Sequence, residues 1–446
     1  MKTRASRLVL PALFVYFLYF AIPALKADFA SDDPMNLRYY WGRGVWRCLI
    51  DSVNFWGGGY RPMGALFYLP IYHFAVLNPL PYRVAVLAIV AASLYFTFRI
   101  VEELTQSQAA AALATVIVCS HRLMALIYYN TSMIYDLMAY FFVAAMLLCY
   151  LRFRRDGHEL TIGQSAWIVI LYIAALDSKE MAVAGAAWIL AWEVICRRPP
   201  KLLTPGILAA ITLIYSAARV IGPNALASQS GYRLEPTLTR FFTNNLIYAN
   251  DILRTSAFDL PWKLILLWSV IVGLAAVLRR REGWWCCAVI FTATLPTSFT
   301  VWPRADGSLC IPLLAWVVFG AMVMTTVLRR IDLQWLLTGA VAILWTFFAI
   351  PAWQVRAADI MRDHRLTSVV IAQLHQLPKH PEPHSRVIFM HDPFEYWDMR
   401  LIADLFWNDP TLQISLGNKL PEAPDLSSYD WVLSFEGETL HAVRTR

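Results

Sequence analysis

The stretch FASDDPMNLRYYW, residues 29–41, follows the first long apolar run of the chain, residues 8–25. It places two adjacent carboxylates, Asp32 and Asp33, at the mouth of a predicted membrane span. Neighbouring carboxylates repel each other and resist desolvation, so an acid pair in such a place is costly to keep. The pair is therefore a candidate functional site. The alternative is that both acids cap an interfacial helix whose first residue is Pro34.

The composition of the chain identifies its broad class. It has 446 residues, of which 58% are hydrophobic and only 15% are charged, a charged fraction well below that of soluble domains. The net charge is +7, but the arginines stand in short clusters at the ends of apolar runs, which is typical of topology signals rather than nucleic-acid binding. The seven cysteines lie mostly inside apolar runs and indicate core residues. The sequence predicts an integral membrane protein.

The apolar runs predict eleven membrane-spanning helices. The first, residues 8–25, follows a short basic tail but lacks a clear cleavage site, so we predict a retained span with a cytoplasmic N-terminus. Residues 64–77 are also apolar, but they are short and bounded by proline turns, which favours a helix at the interface. The other ten predicted spans are residues 84–100, 107–125, 134–151, 166–178, 181–196, 203–221, 263–279, 284–301, 309–328 and 334–351.

Four arginine clusters support this count. With eleven spans they all lie on the same side as the N-terminus, as the positive-inside tendency requires. One additional span at residues 64–77 would place every cluster outside. The clusters are Arg152 to Arg155, Arg197 to Lys201, Arg279 to Arg281, and Arg329 with Arg330.

The same topology predicts the domain organisation. Residues 1–351 form an all-α polytopic module with two long outer loops, residues 26–83 and 222–262. Residues 352–446 are more charged and predict a small extracytoplasmic α/β domain. Its predicted elements are helices at 355–377 and 396–407 and strands at 386–390, 411–416 and 430–435.

Polar residues gather at the outer ends of the predicted helices, on the same face as the acid pair. Each has a simpler explanation: Lys179 and Glu180 can form an ion pair, Arg304 can extend toward the interface, and Asn130 can cap a helix. Together with Tyr60 and Arg61 in the first outer loop, they are typical of the rim of one cavity. The candidates are Tyr60, Arg61, Asn130, Lys179, Glu180 and Arg304.

Several short motifs occur in order along this chain and carry a family resemblance. They are the acid pair, Tyr60-Arg61-Pro62-Met63, LNPLPYR at residues 77–83, and Ser178-Lys179-Glu180. The set resembles the C-type membrane glycosyltransferases, especially the protein O-mannosyltransferase and dolichyl-phosphate-mannose-dependent branch and its bacterial relatives. The resemblance covers about residues 1–330 and leaves the tail uncovered.

The resemblance implies a helical fold with an outward-facing cavity and a polyprenyl-phosphate-linked sugar as donor. The acceptor would be a protein, a lipid or a glycan. In the family, the acid after the first span is the general base, a role that falls here to Asp32 or Asp33. The family commonly has an Asp-Glu pair and this chain has Asp-Asp, which leaves the choice between them open.

The chemistry of the residues agrees with this implication. A departing phosphate needs cations, and Arg61, Lys179 and Arg304 are the cations on the outer face. An attacking hydroxyl needs a carboxylate to accept its proton. No cofactor is required, although Asp32 and Asp33 together could hold a divalent metal. Asn130, Glu180 and Tyr60 are predicted to contact the substrate.

Other function classes make different demands on the sequence. A lipid-linked glycan polymerase or ligase would share the cavity and the phosphate clamp but would use an oligosaccharide diphosphate. A secondary transporter would place ionisable residues near the membrane midplane, whereas here they lie at one edge. The resemblance therefore implies an inverting hexosyltransferase, similar to mannosyltransferases, and we expect it in the bacterial inner membrane.

Overall fold

The computed structural model describes residues 4–56, 61–155, 157–222, 225, 230–328, 334–394 and 399–445. These residues are mostly α-helical, with one small sheet near the C-terminus. The helices are α1 (Arg4–Ala24), α2 (Asp32–Tyr40), α3 (Val45–Asp51), α4 (Met63–Ala75), α5 (Pro79–Thr105), α6 (Gln108–Ser120), α7 (Arg122–Tyr129), α8 (Ile134–Phe153), α9 (Ile162–Ser178), α10 (Ala184–Ala191), α11 (Leu203–Ile221), α12 (Leu238–Leu253), α13 (Pro261–Leu278), α14 (Arg281–Ala293), α15 (Cys310–Leu328), α16 (Gln334–His375) and α17 (Met399–Trp407).

Six helical segments in the described part of the chain are long and apolar enough to cross a membrane. The count is seven if the bent pair of α6 and α7 is one span, and α1 and α9 contain shorter apolar helices. The predicted count of eleven spans therefore remains a prediction. The six segments include α5, α8, α11, α13, α15 and α16.

The predicted span at residues 107–125 is a pair of helices that meet at an angle of 61°. The break lies at His121, whose backbone is extended and whose Nδ1 accepts a hydrogen bond from the Leu123 amide at 3.3 Å. A buried side chain that caps the second helix competes with continuation of the first. The apolar run that predicted one span is therefore bent at this point, and the span remains a prediction.

One other predicted boundary was wrong for an identifiable reason. The predicted span at 284–301 ends as an α-helix at Ala293, because Pro296 stands in the next turn and cannot continue the helix. The predicted outer loop at 222–262 contains α12, a helix with an apolar and a polar face.

Helix α16 extends across the predicted domain boundary at residue 351. It runs for 42 residues and includes Pro351, since neighbouring helices can support a helix at a proline within a membrane. Trp353 packs against Phe20 and Tyr128, with ring centroids 4.9 Å apart in each pair. These contacts hold α16 in place beside the proline.

A four-stranded sheet follows α16. Its strands are β1 (Arg386–Met390), β2 (Gln413–Leu416), β3 (Trp431–Glu436) and β4 (Thr439–Thr445), in the order β2-β1-β3-β4. Strand β1 is parallel to β2 and β3, and β4 is antiparallel to β3. The three predicted strands are present and β4 was missed. The predicted helix at 396–407 is α17, with residues 396–398 outside the described residues.

The C-terminal unit is joined to the first outer loop by polar contacts between α17 and helices α2 and α4. Arg38 Nε lies 2.7 Å from Asp404 Oδ2, and the Tyr72 hydroxyl donates to the Leu405 carbonyl at 2.7 Å. Beyond α2, the indole of Trp41 donates to Asn408 Oδ1 at 2.7 Å. The sheet-bearing segment therefore braces the helices that carry the candidate site.

Gly64, near the start of α4, allows this helix to approach α2 and α8. A Cβ at this position would overlap the Tyr40 hydroxyl and the ring of Tyr135. Both tyrosines are buried and their hydroxyls lie 3.1 Å apart. Because neither ring can move without breaking this contact, only glycine fits.

The change Gly64→Ala should lower the free energy of unfolding by about 1–3 kcal/mol, as expected when a methyl group is forced into a packed core. Thermal unfolding in detergent would measure the effect. Gly320→Ala is the matched control, because Gly320 is exposed inside α15 with nothing within 4 Å of a Cβ. That change should be neutral or stabilising by up to about 1 kcal/mol, and equal effects of the two changes would contradict the packing argument.

Candidate functional site

Helix α2 begins at the acid pair and presents one face to the core. Asp33, Leu37 and Tyr40 are buried at positions i, i+4 and i+7, and Asp32 lies half-buried on the adjacent face. Pro34 is the third residue of the helix, so its predicted place at the first position was wrong. The two carboxylates therefore have different surroundings, although they are neighbours in sequence.

Asp33 is held beneath the surface. It is 1% exposed, and its Oδ2 accepts a hydrogen bond from the Ala30 amide at 2.8 Å and lies 4.0 Å from Arg83 Nη2. Burial raises the pKa of Asp33 to about 7, although Arg83 and the Ala30 amide act in the opposite direction. No group of three or more His, Cys, Asp or Glu placed to hold a metal ion occurs in the described part of the chain.

The far end of α2 connects the acid pair to Arg61. The Tyr40 hydroxyl donates to the Arg61 carbonyl at 2.7 Å, and the Arg61 guanidinium carbon lies 5.0 Å from the centroid of the Tyr135 ring. Asp32 and Tyr40 are the two ends of α2, about 12 Å apart at the rise of an α-helix. The acid pair and Arg61 therefore stand at opposite ends of one short, buried helix.

Arg61, Glu180, Tyr232 and Arg304 form a compact charged cluster. Arg61 Nη2 lies 3.2 Å from Glu180 Oε2 and donates to the Tyr232 hydroxyl at 3.0 Å. The Arg304 guanidinium carbon lies 3.9 Å from the centroid of the Tyr232 ring. Arg61 has a backbone φ of +48°, a region that non-glycine residues rarely adopt. Four segments that are far apart in sequence converge here.

Lys179 pairs with Asp136 rather than with Glu180, the acid next to it in sequence. Its Nζ lies 3.0 Å from Asp136 Oδ2, and both side chains are buried. The alternative of a Lys179–Glu180 ion pair was wrong, because Glu180 faces Arg61 instead. Lys179 has extended backbone geometry at the end of α9, so it and the next residue point in different directions.

The cations of the cluster keep Glu180 ionised and lower the pKa of the Tyr232 phenol. Burial alone would raise the pKa of Glu180, but Arg61, Lys179 and Arg304 outweigh it and lower this pKa to about 2. The same three cations lower the pKa of Tyr232 below its usual value, against the effect of burial. The site is therefore strongly electropositive.

Arg304 differs from the other cations of the cluster. Its Nε and Nη2 atoms are buried and have no hydrogen-bond partner among the described residues. No carboxylate in the described ranges lies within ion-pair distance of it, whereas Arg61 and Lys179 each have one. Buried donors without acceptors cost free energy. Because Arg304 also lacks a carboxylate partner among the described residues, it is the cation of the cluster that is available for an anionic ligand.

Asn130 and Tyr60 are two of the residues that the sequence predicted to contact the substrate. The Asn130 side chain accepts hydrogen bonds from the amide and the hydroxyl of Ser132, at 2.8 and 2.7 Å, and so caps the single helical turn Thr131–Met133. This matches the simpler explanation of Asn130 as a cap. Tyr60 lies outside the described residues.

Four residues near the site were not among the sequence candidates. Asp136 and Arg219 are isolated charges inside predicted spans, and a lone charge in a membrane helix is a recognisable functional signal. Arg83 stood in a quoted motif but was given no role. Tyr232 lies in an outer loop with no distinguishing pattern. The missed residues are Arg83, Asp136, Arg219 and Tyr232.

Comparison with known proteins places this fold. No protein-family model matches the sequence, and no curated protein matches it. Among solved structures, ArnT from Cupriavidus metallidurans bound to undecaprenyl phosphate is similar, with a TM-score of 0.50 and 10% identity over 91% of this chain and 85% of that one. The oligosaccharyltransferase of Archaeoglobus fulgidus, in complex with Zn and sulfate, gives a TM-score of 0.49 and 12% identity over 96% and 67%.

The likeness to ArnT confirms the predicted fold class: the chain is a multi-helix membrane protein with a small C-terminal sheet and a fold similar to that of ArnT. It covers 91% of the chain, more than residues 1–330 could supply. The structural match therefore extends into the tail, where the sequence resemblance ended. Together with the long apolar helices, it identifies an integral membrane protein that crosses the bilayer more than once.

The raised pKa of Asp33 predicts a pH-dependent stability. Between about pH 4 and pH 7 the folded protein retains the Asp33 proton while the unfolded chain has lost it. The free energy of unfolding should therefore decrease as the pH rises, by at most about 1.4 kcal/mol per pH unit from this group. Asp33→Asn removes that contribution, so its stability relative to the native chain should rise from pH 5 to pH 8.

Thermal unfolding in detergent at the two pH values would measure this difference. Asp363→Asn, at an exposed acid on α16, controls for the change in net charge. A constant difference between native chain and Asp33→Asn at both pH values would show that Asp33 does not titrate in this range.

Proposed function

We propose that this protein is an inverting glycosyltransferase that moves a sugar from a polyprenyl-phosphate carrier to a hydroxyl group of an acceptor. The observation that supports this most strongly is the convergence of Arg61, Lys179 and Arg304 around Glu180 and Tyr232. The cluster lies in a membrane fold similar to that of ArnT, which was solved with undecaprenyl phosphate. Such a lipid presents one phosphate group to the protein at the membrane boundary.

The charges of the cluster match a phosphate ligand. Glu180 offsets Arg61 and Asp136 offsets Lys179, which leaves the positive charge of Arg304 uncompensated by any described acid. Arginine suits this task because its planar guanidinium can donate two parallel hydrogen bonds to phosphate oxygens. Arg304 is therefore the principal phosphate ligand in this proposal, and Lys179 contributes mainly to the field of the site.

The reaction is a single displacement at the anomeric carbon. The bond between this carbon and the carrier phosphate oxygen breaks, and the electron pair stays on the phosphate, where the cations stabilise it. The acceptor oxygen forms the new bond from the opposite face, which inverts the anomeric configuration. The hydroxyl proton passes to a carboxylate.

Asp32 is the better candidate for that carboxylate. It is half-buried, so part of it is exposed to an acceptor, whereas Asp33 is 1% exposed, accepts a hydrogen bond from the Ala30 amide and lies opposite Arg83. In this proposal Asp33 is a positioning residue for the start of α2.

The finer features of the proposal rest on the sequence. The resemblance to mannosyltransferases supports a hexose such as mannose, and the arginine clusters support a cytoplasmic N-terminus. The reaction would then take place on the outer face of the bacterial inner membrane. The acceptor is a protein, a lipid or a glycan.

The phosphate clamp is tested by Arg304→Gln and Lys179→Gln. Arg304→Gln should weaken binding of undecaprenyl phosphate about tenfold to a hundredfold, because a charge-assisted hydrogen bond is lost, and should leave the protein folded. Lys179→Gln leaves Asp136 buried without its cation and should lower the free energy of unfolding by about 3–5 kcal/mol. Lipid binding and thermal unfolding of each purified variant would separate the two roles.

Arg233→Gln is the matched control, since Arg233 is exposed in the same outer segment and pairs with Glu235. It should change neither quantity. Undiminished affinity of the Arg304→Gln variant for undecaprenyl phosphate would remove Arg304 from the clamp.

The acid pair is tested by Asp32→Asn and Asp33→Asn. Asparagine keeps the shape of the side chain but cannot accept the proton of the acceptor, so turnover of Asp32→Asn should fall about a hundredfold or more while donor binding survives. Asp33→Asn should cause a smaller loss. The assay follows release of polyprenyl phosphate from polyprenyl-phosphate-linked hexoses, in membranes that contain the native acceptor. Full activity of both variants would reduce the pair to a structural role.

A further inference from the structure

A small cavity lies directly against the charged cluster. Its volume is about 140 Å³, and it lies between the last turn of α11 and the segment 296–300 that follows α14. Glu180 and Tyr232 belong both to the cluster and to the wall of this cavity. The polar residues that line it include Glu180, Tyr215, Arg219, Tyr232, Thr297 and Thr300.

Arg219 supplies an unused hydrogen-bond donor in this wall. It is 9% exposed, its Nε has no hydrogen-bond partner among the described residues, and its guanidinium carbon lies 5.1 Å from the centroid of the Tyr215 ring. Burial of a guanidinium donor without an acceptor costs free energy. A ligand with oxygen acceptors in the cavity would recover that cost.

We propose that this cavity holds the sugar of the donor and that Arg219 donates hydrogen bonds to oxygens of the sugar. The inference rests on the proposed function, because it takes the neighbouring cluster as the phosphate site. The sugar is joined to the phosphate through a single oxygen, so its ring must lie beside the phosphate. The cavity fulfils this condition because Glu180 and Tyr232 border both sites.

The chemistry of the wall also selects the class of sugar. A guanidinium has donors and no acceptors, so Arg219 recognises hydroxyl or carboxylate oxygens and disfavours a cationic amino group. Glu180 does not reverse this preference, because Arg61 pairs with it at 3.2 Å and two further cations act on it. Phenol rings at Tyr215 and Tyr232 can pack against the apolar faces of a sugar ring. The site therefore fits a neutral or acidic sugar rather than an amino sugar.

The test compares lipids with and without a sugar. Binding is measured for undecaprenyl phosphate and for undecaprenyl phosphate linked to glucose, mannose, galacturonic acid or a 4-amino pentose. The native chain should bind at least one neutral or acidic sugar lipid about tenfold more tightly than undecaprenyl phosphate. Arg219→Gln should abolish this gain, a loss typical of one charge-assisted hydrogen bond, and leave the affinity for undecaprenyl phosphate unchanged.

Two further variants separate recognition from folding. Arg219 is the cation that faces Asp177, which is 1% exposed, so Arg219→Gln is also made together with Asp177→Asn to keep the buried charges balanced. The double variant should lose the same sugar-dependent gain. Arg233→Gln, the exposed control, should retain it.

The outcomes distinguish this inference from the proposed function. A sugar-dependent gain that survives in both Arg219 variants, no such gain in the native chain, or tightest binding of the amino-sugar lipid would each overturn the sugar site. In those cases Arg304→Gln would still weaken every lipid, and the glycosyltransferase proposal would stand. If no polyprenyl-phosphate lipid binds and Arg304→Gln changes nothing, both proposals fail.

Discussion

The buried guanidinium of Arg83 is the interaction on which the position of the candidate site depends. It is 0% exposed, its Nε donates to the Ala27 carbonyl at 3.0 Å, Nη2 donates to the Asp28 carbonyl, and Nη2 lies 4.0 Å from Asp33. Arg83 belongs to α5, so one side chain joins the chain that leaves α1 to the next membrane helix. Breaking the contacts of a buried charge is strongly destabilising, so these three contacts restrict the geometry of residues 27–33.

The same requirement organises the rest of the outer face. In a protein with an apolar interior each buried charge needs a partner, and Arg61 and Lys179 obtain theirs from Glu180 and Asp136. These pairs connect the first outer loop, α8 and the segment after α9. Arg304 alone among the clamp cations lacks such a partner in the described chain. The paired charges thus hold the site in place, and Arg304, which has no such partner, is the residue that can bind a ligand.

The sequence predicted this site as far as single residues allow. Charges are rare in the apolar part of the chain, so Asp32, Asp33, Arg61, Lys179 and Arg304 could be selected by position alone, and the structure brings the three cations together. Their partners could not be selected in this way. Which acid meets Lys179 depends on the directions of two neighbouring side chains, and the place of Tyr232 depends on the path of a long loop. Such facts are fixed by packing.

The fold, like the site, was predictable where local sequence determines it and less predictable where contacts between distant residues do. Apolar runs predicted the positions of most helices, because burial in lipid or in the core demands them. Their ends and bends were less predictable: His121 breaks a helix by capping the next one, whereas Pro351, which looks like a boundary, lies inside α16. The difference is tertiary, since Trp353 packs α16 against α1 and α7 beside the proline. The continuous helix thereby brings the C-terminal unit to the first outer loop, where α17 braces α2, the helix that begins at the acid pair.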